Sequence, residues 1–326
     1  MTDISIVIPV YDEEENVPLL SEELYKTLSA LERSWEVVMV DDGSDDSSWD
    51  RITEAAGRYP GFRGIRLRRN YGQTAAMSAG FRESKGNVII TLDADLQNDP
   101  GDIPALLEMS DKGVDVVSGW RRARKDPFLT RRLPSMIANR IISRITGVRL
   151  HDYGCTLKAY RREIADDLHL YGEMHRFLPA LASWVGAKVE EVPVNHHPRK
   201  FGSSKYGLSR ISRVVLDLMT VKFLMRYSTR PIQIFGKLGM FFGVPGLAII
   251  TVVILGHLSY LWFGTEFASG LIKRPFWIIT PFMLILFCLQ FISIGLLAEI
   301  QIRTYHESQS KPIYVIKEQL ENQSPR

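Results

Sequence analysis

The stretch "VIITLDADLQNDP", Val88 to Pro100, decides the fold. Val, Ile, Ile, Thr and Leu suit a pleated backbone, and a short continuous apolar run reads as a strand buried on both faces. The run stops at Asp93-Ala94-Asp95, two carboxylates separated by one small residue. Like charges at the tip of a buried strand repel and lose hydration, so a partner of opposite charge is expected there. Two carboxylates on a tight turn can converge on one hard cation, Mg²⁺ or Mn²⁺, which takes one or two carboxylates plus waters and phosphate oxygens. A solvated loop that happens to hold two aspartates is the competing reading.

Working outward, the same grammar repeats. Ile4–Val10, Trp35–Asp42, Phe62–Asn70, Asn87–Asp95 and Asp115–Arg121 read as strands, and Glu15–Arg33, Ser47–Arg58, Gln73–Ser84 and Asp102–Lys112 as helices. Alternation of this kind predicts an α/β domain with a mostly parallel sheet, whose ligands bind beyond the carboxyl ends of the strands. Polar residues stand at those ends: Tyr11 and Glu13, then Asp41 and Asp42, then Asn70, then Asp93 and Asp95. In "VDDGSDDSS", Gly43-Ser44 explains a turn and Asp46 or Ser47 a helix cap. Neither explains Asp41-Asp42, whose carboxylates could accept from a nucleobase N–H or from ribose hydroxyls. No G-x-G-x-x-G follows the first strand and no G-x-x-x-x-G-K-[ST] occurs, which argues against a dinucleotide dehydrogenase and excludes a P-loop ATPase.

The chain has 326 residues with a net charge of +3, too small to suggest nucleic acid. Hydropathy is sharply divided. Leu238–Thr265 runs 28 residues and Pro275–Ala298 runs 24 without a charged side chain. A bilayer core needs about 20 apolar helical residues, so two membrane spans are expected. No basic, apolar leader opens the sequence, so the part before the spans is expected in the cytoplasm, with two crossings returning the tail to the same side. Arg226, Arg230, Lys237, Arg303 and Lys311 on that side, against Lys273 and Arg274, give a modest positive-inside bias. Cys155 and Cys288 fall in different regions, so no disulfide is expected.

Two basic amphipathic stretches precede the spans. Ile137, Ile141, Ile142 and Ile145 share one helical face beside Arg140 and Arg144. In the second, Leu208, Ile211, Val215, Leu218 and Met219 oppose Arg210, Arg213 and Asp217. Such faces suit a membrane interface, or packing on the chain's own domain. The tail carries a strand-like "PIYVI", able to pair with a neighbouring subunit or with its own domain.

Read together, "SIVIPVYDEEEN", "VDDGSDDSS", "LRRNYGQTAAMSAG" and "TLDADLQNDP", in that order, resemble the GT-A glycosyltransferases of family 2. "DYGCTLKAYRREI" and "RKFGSSKYGLSR", followed by two spans, are similar to the polyprenyl-phosphate glycosyltransferases, relatives of dolichol-phosphate mannosyltransferase. The "RNYGQ" and "DYGC" variants resemble the bacterial branch that includes undecaprenyl-phosphate aminoarabinose transferases. The resemblance implies a GT-A catalytic domain over 1–206, an interfacial helix over 207–231, spans over 232–265 and 275–302, and a cytoplasmic tail over 303–326. It implies a multi-pass inner (plasma) membrane protein whose partners are a nucleotide-diphosphate sugar, UDP-linked rather than GDP-linked, and polyprenyl phosphate. It further implies nucleotide contacts at Pro9, Tyr11, Glu13 and Asp42, joined at the strand ends by Asp41, Asn70, Asp93 and Ala94, and Mg²⁺ or Mn²⁺ contacts at Asp93, Asp95 and Gln97.

A lipid phosphate acceptor, which the resemblance implies, needs no general base. A phosphate monoester has its second pKa near ~6 and is already an anion at neutral pH, whereas an alcohol needs deprotonation. The acceptor needs cations instead, and Arg121, Arg131, Arg199 and Lys205 are the candidates, with Arg122, Arg132 and Lys200 read as weaker ones. Asp152 is either a base or orienting carboxylate, or the ion-pair partner of one of these arginines. His196 and His197 read as structural or loop contacts, and His151 as incidental. The catalytic set is therefore Asp95, Asp152 and Arg121, acting in one inverting displacement. A processive polysaccharide synthase is disfavoured by only two spans and no Q-x-x-R-W. A membrane-tethered nucleotide-sugar sensor or scaffold is the non-enzymatic rival. Gly236, Gly239, Gly243 and Gly246 would permit close helix contact, in a homo-oligomer or within one chain.

Overall fold

β1 (Ile4–Val10) is the strand on which the sheet is built, with six of its seven residues buried. The computed structural model describes residues 2–122, 133–168, 174–198, 200–201, 232–264, 274–308 and 316–320. β2 (Trp35–Asp41) and β4 (Val88–Thr91) both pair parallel with β1, and β3 (Phe62–Leu67) pairs parallel with β2. Buried on both faces, these strands are mostly apolar, and the buried charges of β2 and β3 pair with each other, Arg63 Nε meeting Glu36 at 2.8 Å. Their crossovers are α1 (Asn16–Ser29), α2 (Ser48–Arg58) and α3 (Gln73–Glu83). α1 shows the reason for its docking: Val17, Leu20, Leu24 and Leu28 recur at helical spacing and are fully buried.

Past β4 the sheet changes direction. α4 (Ile103–Asp111) leads to β5 (Val116–Trp120), α5 (Leu133–Thr146) follows, and β6 (Lys158–Arg161) inserts antiparallel between β4 and β5. After α6 (Arg162–Asp167), a 3₁₀ turn at Met174–Phe177 and α7 (Leu178–Trp184), β7 (Val189–Pro193) pairs parallel with β5. The last strand, β8 (Ile316–Leu320), returns antiparallel on the far edge beside β3. The eight-stranded order is β7-β5-β6-β4-β1-β2-β3-β8. The sheet is therefore mixed, with a parallel centre.

The tail strand lies in the chain's own sheet over Ile316–Leu320, and of "PIYVI" only Ile316, which pairs with Leu67, falls within the described residues. Leu320 packs on the core while Lys317, Glu318 and Gln319 face solvent, the charged and polar pattern of an edge strand. In α5, Ile142 is buried but Met136 and Ile141 are exposed.

The chain divides into two compact units, Met1–Lys222 with Pro312–Arg326, and Phe223–Lys311. In the second, α8 (Ile232–Phe263) and α9 (Phe276–Ser308) hold apolar segments, Gln233–Trp262 and Phe276–Ala298, with mean hydropathies of 2.4 and 2.3. Their side chains are mostly exposed, unlike those of a core helix. Gly239 and Gly243 let the two helices approach: a Cβ at Gly239 would lie 3.2 Å from the Cys288 carbonyl oxygen, and one at Gly243 would lie 2.7 Å from Cys288 Sγ. These glycines thus serve contact within one chain.

Candidate active site

Because β1, β2 and β4 run parallel in register, their carboxyl ends open on one edge. There they form a cleft of about 190 Å³ lined by Pro9, Val10, Tyr11, Glu13, Asp42, Asn70, Gly72, Gln73, Asp93, Ala94 and Asp95. Residues separated by more than 80 positions in sequence meet on this edge.

Each wall is fixed by hydrogen bonds. Asp12 and Leu96 adopt left-handed backbone, with φ of 51° and 58°. Such conformations cost energy for residues with a Cβ and persist where surroundings enforce them. Leu96 is held by burial of its side chain, which turns the chain directly after Asp95. Asp12 is held from both sides, donating from its N–H to Ser44 Oγ at 3.0 Å and accepting the Asp45 N–H at 3.1 Å. Glu13 donates its N–H to Ser48 Oγ at 2.8 Å.

The two residues of the Asp41-Asp42 pair do different things. Asp41 is fully buried and does not line the cleft; it accepts the Ser44 N–H at 3.0 Å and meets Arg66 Nε at 3.2 Å. Asp42 lines the cleft and accepts the N–H groups of Tyr71 and Gly72, both at 2.8 Å. It thereby holds the turn that starts α3. Burial pushes the Asp42 carboxyl up to about 6, against the pull of those two hydrogen bonds.

Asp93 accepts from Gln73 Nε2 at 2.7 Å. Burial first, then the neighbouring Asp95 charge, pushes its carboxyl upward, against a Thr156 hydrogen bond and the Lys158 and Arg121 charges. Asp95 is buried, and its Oδ1 accepts the Gln97 N–H at 3.2 Å. Gln97 is expected from sequence as a metal contact, but it is absent from the cleft wall and acts on Asp95 through its backbone. The loop is tied down from the far side, since His197 donates its N–H to the Gln97 carbonyl at 2.9 Å and its ring meets Asp99 at 3.2 Å. Two carboxylates on one wall, with no cluster of three His, Cys, Asp or Glu among the described residues, fit a divalent ion completed by substrate phosphate.

Arg121 and Asp152 form a bidentate pair, Nε to Oδ2 at 2.7 Å and Nη2 to Oδ1 at 2.9 Å. Burial disfavours the charged guanidinium, but the Asp152 hydrogen bonds and charge outweigh it, and Arg121 is shifted upward and stays cationic. The geometry matches the ion-pair reading of Asp152. His151 is not incidental: it stacks on Trp120 with ring centres 4.4 Å apart and meets Glu191 at 2.9 Å. Lys200 lies 3.7 Å from Glu23, as a surface charge would. Arg131, Arg132, Arg199, Lys205 and the second amphipathic stretch lie outside the described residues.

Sequence reasoning overlooked Gln73 and Lys158. Gln73 carries a signal only as part of "RNYGQ". Lys158 is buried in β6, its ammonium donating to the carbonyls of Tyr153 and Cys155, and nothing local marks it.

A mixed sheet with a parallel centre, a cleft at its carboxyl edge and D-x-D on one wall of that cleft make a GT-A-like α/β domain. The family model for glycosyl transferase family 2 matches residues 5–168, and the chain belongs to that family of glycosyltransferases. It is 41% identical over 99% of its length to the dodecaprenyl-phosphate galacturonate synthase of Rhizobium johnstonii, covering 94% of that protein. It is 37% identical, again over 99% of its length and 95% of the relative, to the undecaprenyl-phosphate 4-deoxy-4-formamido-L-arabinose transferase of Pectobacterium atrosepticum. Among solved structures, glucosyl-3-phosphoglycerate synthase from Mycobacterium tuberculosis with Mn²⁺, uridine diphosphate and phosphoglyceric acid superposes with a TM-score of 0.55. That match has 15% identity and covers 69% of this chain and 78% of that one, a likeness of fold.

Proposed function

We propose that this chain transfers a sugar from a nucleoside-diphosphate sugar, UDP-linked, to a polyprenyl phosphate at the cytoplasmic face of the inner membrane. The observation that carries the reading is the joint position of Asp93 and Asp95 on one wall of the cleft that Pro9, Tyr11, Glu13 and Asp42 complete. The names of the two full-length relatives, each a transfer of sugar to a polyprenyl phosphate, support the acceptor.

In this reading Tyr11 and Asp42 hold the nucleoside, with Pro9, Glu13 and Asn70 shaping its seat. Asp93, set by Gln73, and Asp95, set by the Gln97 backbone, hold Mg²⁺ or Mn²⁺. When bound, the ion supplies Lewis-acid neutralisation of the leaving diphosphate. The acceptor is an anion before it arrives, so Asp152 need not remove a proton. Its task is to keep Arg121 oriented, while Arg131, Arg199 and Lys205 supply further cationic contacts to the lipid phosphate. Attack from the face opposite the leaving group inverts the anomeric centre.

The two apolar helices serve as membrane spans. β8 follows the second of them in sequence and pairs with β3, which supports two crossings that return the tail to the side of the catalytic domain. The exposed Met136 and Ile141 on α5 favour contact with the bilayer interface. The test is transfer of label from a panel of UDP- and GDP-sugars to undecaprenyl phosphate in nanodiscs, with and without Mn²⁺ or Mg²⁺. Metal-dependent label in the lipid phase is expected. Nucleotide binding without lipid product across the panel would favour a sensor.

A further inference from the structure

Beside the donor cleft lies a second cavity of about 320 Å³, and its chemistry differs from that of the first. Its cations come from two distant segments: Arg66, Arg68 and Arg69 from β3 and the turn after it, and Lys317 from β8. Arg66 is committed to Asp41, and Arg69 lies over the Tyr71 ring at 4.3 Å. Arg68 and Lys317 are exposed and make no ion pair with a described carboxylate. Among the described residues Asp45 is the one acidic residue on the lining.

The concavity is built rather than accidental. Gly43, at φ +71°, brings the β2 turn against the backbone of Arg69, where a Cβ would collide with the Arg69 carbonyl carbon. That approach closes one side, and the β3–β8 pairing, with Leu67 opposite Ile316, brings Lys317 to the other. Cations gathered in one concavity repel, and an anion relieves that repulsion while matching the donors of guanidinium and ammonium.

We propose that this cavity binds a phosphate-class anion, separate from the diphosphate seat at Asp93 and Asp95, with Arg68 and Lys317 as its principal ligands. The site is complete only when the strand that follows the apolar helices has docked on β3. Tyr11 and Asn70 line both spaces, so an occupant of one bears on the wall of the other.

The test is calorimetric titration of inorganic phosphate into the full-length protein in neutral detergent containing EDTA, which disables a metal-dependent seat. Saturable binding to the native protein is expected. It should weaken at least tenfold in Arg68→Ser/Lys317→Ser and persist in Asp95→Asn. If the double variant fails to fold, Lys317→Gln alone, an exposed side-chain change, should weaken binding several-fold. Adding phosphatidylglycerol to the micelles separates the sources: loss of the phosphate isotherm assigns a lipid headgroup, and an unchanged isotherm assigns a free phosphate. Absence of saturable binding, indifference to the Arg68 and Lys317 substitutions, or loss in Asp95→Asn would overturn the proposal.

Discussion

Arg121 reaches both carboxylate oxygens of Asp152, through Nε and Nη2, at 2.7 and 2.9 Å. The pair joins the end of β5 to the "DYGC" loop, and both partners are largely withdrawn from solvent, with side chains 13% and 4% exposed. Removing one partner leaves a buried charge alone, a loss on the order of 3 kcal/mol. Asp152→Ala should therefore lower thermal stability as well as activity. The double variant Arg121→Ala/Asp152→Ala should be less destabilised than the sum of the single variants, by at least ~1 kcal/mol. Additive losses in a double-mutant cycle would refute the coupling.

Asp95 and Asp93 divide the labour at the second wall. Asp95→Asn keeps the shape but halves the charge available to a divalent ion, and turnover should fall about 100-fold or more with the fold intact. EDTA should abolish transfer in the native enzyme, and added Mn²⁺ or Mg²⁺ should restore it. Native rates in Asp95→Asn would remove Asp95 from the chemistry.

Gln73 donates to Asp93 at 2.7 Å, and a hydrogen bond to a charged group contributes about 1.5–3 kcal/mol. Gln73→Ala should raise the donor KM by roughly tenfold or more. Gln73→Glu should do worse, because it sets a third carboxylate against the Asp93–Asp95 pair. Equal kinetics for the two variants would show that the charge at this position does not matter.

Asp42 supplies a pH dependence whose sign follows from its role. Its carboxyl is pushed up to about 6 by burial, so it is ionised above that pH and takes up a proton below it. Only the ionised form accepts both the Tyr71 and Gly72 N–H groups. Donor affinity should fall as pH drops through about 6, read as the Kd for UDP between pH 5 and 8. Asp42→Asn faces one of those N–H groups with a second donor, so its affinity should be lower throughout and lack the same inflection.

Deleting the chain from Ile316 onward should expose the β3 edge and unseat Leu320 from the core. The truncated protein should melt earlier and self-associate more, as unpaired edges do. Light scattering and a thermal scan, compared with the full chain, would check this.

The sequence by itself determined the parallel centre of the sheet, the D-x-D tip and the two apolar helices. Each is written in a contiguous run: apolar strands, a strand broken by paired aspartates, and uncharged stretches long enough for a bilayer. It also marked Tyr11, Glu13, Asp41, Asp42, Asn70, Asp93 and Asp95 as strand-end residues, and parallel register gathers all of them but Asp41 at the cleft. Tertiary structure alone decided the rest. That Asp41 faces Ser44 and Arg66 while Asp42 faces the cleft depends on the strand's alternation meeting a particular neighbour. That β6 runs antiparallel, that Asp152 meets Arg121, and that Lys317 lines one cavity with Arg68 depend on contacts between distant segments. Local pattern records which face a residue must bury; it does not record which distant side chain will be waiting there.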